Sequence, residues 1–165
     1  EEALECQIDI GNKTLQSSIL NNLGVLTKIR NEYERSLDYR KRALDLARES
    51  GNKRSECIVL MNLGNMYRLM GYSADAVKFC RESLEIATRI NDPITSCHAL
   101  SVESMTELDT GMVESALKLF GKALVIVEEN GIKPGMIEDF DELIEKLRSL
   151  DLLQGLPEEW RIESG

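Results

Sequence analysis

Apolar residues fall at three- and four-residue intervals through most of the chain. Ile19, Leu20, Leu23 and Leu26 trace one helical stripe, and Leu37, Leu44 and Ala47 trace a second. Period-two alternation is nowhere sustained, so strands are not predicted. The stripes also recur. Shifting the chain by 40 residues brings Leu20, Leu60 and Leu100 into register, with Asn22 on Asn62, Leu23 on Leu63 and Gly24 on Gly64. Asn31, Gly71 and Gly111 then coincide, followed by Ser36, Ala76 and Ala116. Ala43, Ser83 and Ala123 align in the second half, as do Gly51, Asn91 and Gly131. The same shift reaches back to Ala3, Leu4, Gly11 and Asn12.

This self-similarity predicts a stack of helix pairs. Residues 1–12 read as the second helix of a truncated preceding repeat. Repeats 1, 2 and 3 run over 13–52, 53–92 and 93–132, the third degenerate. A capping helix over 133–150 and an acidic tail over 151–165 follow. Gly24, Gly64 and Ser104 on the first helices, with Ser36, Ala76 and Ala116 on the second, let two antiparallel backbones approach closely. Pro93 and Pro134 stand where helices must be interrupted. Over 136–150, Ile137, Phe140, Leu143, Ile144, Leu147 and Leu150 keep helical spacing, with Glu138, Asp139, Asp141, Glu142 and Glu145 opposite. That pattern predicts a cap with a solvated acidic back.

Composition supports an all-α chain: 165 residues with three prolines, one Trp, four Tyr and three Phe. A net charge of −9 opposes general nucleic-acid binding, which needs a basic face. No apolar run approaches the roughly 18 residues of a membrane span. The opening Glu1-Glu2-Ala3-Leu4 has neither an initiator Met nor a signal peptide, so the sequence reads as a piece of something longer. Cys6, Cys57, Cys80 and Cys97 match no zinc spacing, and reduced, buried thiols in a cytoplasmic protein are expected. Without a phosphate loop, a nucleophile elbow or a His-Glu-x-x-His pattern, the chain is read as a non-enzyme with no cofactor or metal.

The Leu, Leu-Gly, Gly and Ala positions resemble the tetratricopeptide repeat family over about four-fifths of the chain, although the usual unit is about 34 residues. Asn21-Asn22-Leu23-Gly24 and Asn62-Leu63-Gly64-Asn65 look most like the Leu-Gly-Asn-repeat G-protein signalling modulators and the kinesin light chains. The resemblance implies a right-handed superhelical solenoid of antiparallel helix pairs, closed by a C-terminal capping helix. In such arrays the first helices line a concave surface that binds a protein or peptide partner.

The first-helix rows supply the candidate contacts. Asn21, Asn22, Asn62 and Asn65 are costly inside helices, and an amide grips a peptide backbone as donor and acceptor. In the family, asparagines at such positions hold an extended peptide; bonding between neighbouring helices is the alternative. Lys28 and Arg68, 40 residues apart, are suited to acidic side chains of a partner, and Met61 and His98 share the row. A clamp for a terminal carboxylate is disfavoured, because Asn21, His98 and Val102 replace its cations. Glu103 and Glu107 stand where repeats 1 and 2 have Leu23, Thr27, Leu63 and Tyr67. They read as repeat degeneracy, with a first helix that has rotated or met a basic neighbour, rather than an acid-base pair. Charge is uneven: −4 over 1–12, +3, +1 and −4 over the three repeats, and −5 beyond. Much of the repeat 1 excess, from Arg35, Arg40, Lys41, Arg42 and Arg48, is expected on the convex side. Trp160 is read as covering the last core layer, with groove occlusion by the tail as the alternative. End-to-end self-association through exposed repeat ends is the competing functional reading.

Overall fold

The computed structural model describes residues 2–133 and 135–153, with side chains from residue 12 onward. Seven helices occupy them: α1 (Glu2–Ile29), α2 (Tyr33–Glu49), α3 (Lys53–Leu69), α4 (Ser73–Arg89), α5 (Pro93–Asp109), α6 (Val113–Glu129) and α7 (Glu138–Ser149). No strand occurs among the described residues, as the periodicity predicts. Residues 154–165, which include Trp160 and most of the acidic tail, lie outside the described residues.

One local rule stops the helices. A left-handed residue stands every 20 positions, at Asn31, Gly51, Gly71, Asn91, Gly111, Gly131 and Asp151, with φ between 56° and 82°. Beyond each, an N–H reaches back five residues, as from Glu32 to Thr27 (2.9 Å), Tyr72 to Tyr67 (2.8 Å) and Met112 to Glu107 (2.8 Å). This Schellman closure satisfies the last carbonyls and turns the chain back. Asn52 and Asp92 then cap α3 and α5 by accepting from Ser55 N and Thr95 N, with Pro93 opening α5.

Gly11-Asn12 departs from the pattern. α1 runs unbroken for 28 residues, against 17 for α2, so no turn separates residues 1–12 from repeat 1. Glycine permits a left-handed stop without imposing one. Reversal elsewhere is rewarded by packing against the helix before the turn, and no earlier helix lies among the described residues.

Within each pair the small residues act as expected. Ser36 Oγ donates to Gly24 O at 2.6 Å, and Ser104 Oγ donates to Ala116 O at 2.8 Å. The contact is the same, with the serine on the opposite helix. Ser17 to Ala43 O (2.8 Å) and Ser83 to Cys57 O (2.7 Å) repeat the exchange. One apolar cluster joins repeats 1 and 2 through Leu44, Leu60, Leu63 and Ile86. A second joins repeat 3 to α7 through Leu100, Phe120, Phe140, Leu143 and Leu147. The first helices α1, α3 and α5 touch side by side, while the second helices α2, α4 and α6 make no comparable contact with one another. The first-helix layer is therefore the inner, concave one.

Candidate functional site

The eight candidate residues separate into two groups on the concave layer. At the α1–α3 end, Asn62 Nδ2 donates to Asn21 Oδ1 at 3.1 Å, the interhelical bond posed as the alternative role. Asn22 is exposed, and Lys28 is half-buried and forms no ion pair with the described residues. Val25, Ile29 and Leu69 are exposed on the same two helices, and Met61 is buried.

At the α3–α5 end the candidates already have partners. Asn65 is buried and its Nδ2 donates to Asp139 Oδ1 at 2.9 Å. His98 Nδ1 lies 2.8 Å from Asp139 Oδ2. Arg68 donates from Nη2 to Glu142 Oε1 at 2.9 Å, and its Nη1 is 3.5 Å from Asp109. Lys146 completes the set on Asp109. α7 thus lies against α5 and reaches across it to α3, while Phe140 stacks on Phe120 of α6 at 5.7 Å between ring centroids. The solvated acidic back predicted for this helix is corrected at Asp139, which is 7% exposed. Asp139, Glu142, Asp109 and Lys146 were not among the sequence candidates. Their signal, carboxylates three apart beside an apolar stripe, was present in the sequence but did not say which way the helix faces.

Arg40 is a second correction. It is 1% exposed, not on the convex surface, and its Nη1 donates to Asn62 O at 2.8 Å while Nε has no partner. Burial pulls its guanidinium down to about 10, partly offset by the Asp139 carboxylate. The 40-residue register pointed inward, since Cys80 and Phe120 share the position. Glu103 has met a basic neighbour, accepting from Arg81 Nε at 2.7 Å. Cys57, Cys80 and Cys97 are free and buried. Burial raises all three thiols, Cys97 to about 12. Among the described residues, no cluster of His, Cys, Asp and Glu is placed to hold a metal ion. No helix there is long and apolar enough to cross a membrane.

Helix pairs of fixed period, stacked with their first helices inward, define a helical-repeat solenoid. Residues 15–89 match the tetratricopeptide repeat family, and α5 and α6 continue the same helix-pair geometry beyond the matched span. Arrays of this family generally mediate protein–protein interaction. BtubC (BKLC) from P. vanneervenii has a similar fold, with a TM-score of 0.70 and 15% identity over 86% of this chain. The match spans 59% of that protein's chain. No curated protein sequence matches significantly.

Proposed function

We propose that the chain is a non-catalytic interaction scaffold that holds an extended peptide across α1 and α3. The observation that carries this reading is the unequal use of the concave layer. Its α5 end is covered by α7, whereas Asn22, Lys28, Val25, Ile29 and Leu69 stay uncovered at the α1 end. Amides grip a backbone, exposed apolar side chains take alternate residues, and Lys28 favours an acidic segment. Reduced, buried thiols fit a reducing compartment, and the cytoplasm is the proposed location.

Selection of displayed peptides on the whole chain, followed by titration, tests the reading. Asn22→Ala with Lys28→Glu should weaken the selected peptides at least tenfold, and affinity should fall with salt. Equal affinity for the wild type and the double variant places the ligand elsewhere and removes this function.

Self-association keeps one supporting observation. Ile19, Leu23 and Leu26 of α1 are exposed, although the equivalent Val59, Leu63 and Met66 are buried. Because α7 covers the other end, stacking would join α1 to α1 about a two-fold axis. Leu26→Glu should then abolish any rise of mass with concentration in light scattering.

A further inference from the structure

The carboxylates of α7 are held by side chains from two other helices. Asp139 takes Asn65 of α3 and His98 of α5, and Glu142 takes Arg68 of α3. Three residues apart, Asp139 and Glu142 lie one turn apart on one helical face. Four residues further, Lys146 reverses the polarity by meeting Asp109. Phe140, Leu143 and Leu147 are buried along the adjacent stripe. α7 therefore sits as a bound amphipathic helix sits, with one row recognised by polar side chains and the next by apolar ones.

Two features distinguish α7 from the helices before it. Its connection adds a second left-handed glycine, the exposed Gly135, to the Gly131 stop that it shares in kind with the earlier turns. It has 12 residues, at or below the roughly 12–15 that an isolated helix needs in water. Its helicity depends on its seat.

Resting on the reading of the concave layer as a binding surface, we propose that its Asn65–Arg68–His98 end recognises acidic amphipathic helices. α7 is the resident occupant, and the partner is a helix with carboxylates three apart beside an apolar stripe that enters by exchange with α7. Exchange fixes the ligand class. An extended acidic strand cannot replace Phe140, Leu143 and Leu147, and leaving them in water would outweigh the charge pairs gained. A short tether also keeps the effective concentration of α7 on the order of millimolar, so weak competitors are excluded.

The test uses the whole chain and a fluorescent peptide with the sequence of residues 136–150, followed by anisotropy. Asp139→Asn with Glu142→Gln weakens the resident helix while the peptide keeps both carboxylates. This variant should bind the peptide at least tenfold more tightly than the wild type, and adding Arg68→Ala should remove the gain. A peptide carrying the Asn and Gln replacements should bind at least tenfold more weakly than the unaltered one. Equal binding by wild type and variant, or equal binding of the two peptides, overturns the proposal. Should the variant lose helicity by circular dichroism, hydrogen exchange of the wild type decides. α7 amides must exchange faster than those of α5 and accelerate when the peptide is added; exchange in step with α5 overturns the proposal. Peptides selected on the α1–α3 end separate the two readings. If they still bind while the α7 peptide fails, exchange alone falls; if they fail too, the groove reading falls with it.

Discussion

Arg40 and Gly64 show how closely the pairs are packed at the level of single residues. The Arg40 guanidinium is buried with one nitrogen unpartnered, in a position filled by Cys80 and Phe120 in the other repeats. Its lowered pKa means that the charged form is disfavoured by folding at neutral pH. Arg40→Met should raise stability by about 1–3 kcal/mol in urea unfolding. A loss instead would mean that the attraction to Asp139 exceeds the desolvation cost. At Gly64 an added Cβ would lie 2.5 Å from Cys80 Sγ and 3.2 Å from Ala76 O. Gly64→Ala should cost about 1–3 kcal/mol or more. Cys80→Ala should recover only part of that in a double-mutant cycle, because the backbone contact remains. The registers of both residues were legible in the sequence. The direction of Arg40 was misread because a charge was assigned to solvent by its type, not by its repeat position.

At the scale of elements, α5 shows how a repeat tolerates degeneracy. Tyr67 stacks on Phe79 at 5.2 Å in repeat 2, whereas Glu107 fills the matching site in repeat 3 and stays buried with Oε2 unpartnered. Glu103 replaces Leu63 and survives burial by reaching Arg81, whose own side chain is 66% exposed. Arg81→Ala should therefore destabilise by about 2 kcal/mol or more, since it strands a buried carboxylate. In a Glu103→Leu background the same change should cost much less, because only the weaker attraction of Arg81 to Glu107 then remains. Thermal unfolding of the four proteins checks the coupling, and additive losses would show that the pair is not coupled. The tight turns and small-residue contacts of these helices were readable in advance because each depends on a few neighbouring residues. The continuity of α1 through Gly11 was not, since a residue that allows a turn does not decide whether the turn is taken.

Across the whole molecule, the core shields its thiols. Burial raises Cys57, Cys80 and Cys97, so the reactive thiolate is scarce at pH 8. Iodoacetamide at pH 8 should leave these three unmodified in the native chain and modify all three in urea, as read by peptide mass. Native labelling of any of them would show that the stack opens locally. The curved inner layer has two ends with different fates, one filled by α7 and one open. Which candidate residues are free therefore depends on an element more than 70 positions away along the chain, since Asn65 meets Asp139 and Arg68 meets Glu142.

By itself the sequence determined the 40-residue period, the left-handed stops and the small residues at which paired helices touch. These follow from backbone sterics and side-chain size over short stretches, where few alternatives compete. The tertiary structure alone decided that α1 runs on, that Arg40 points inward and that Asp139 and Glu142 take the donors of the concave layer. Those outcomes depend on which distant surface offers the best exchange for water, and helical periodicity carries no such information.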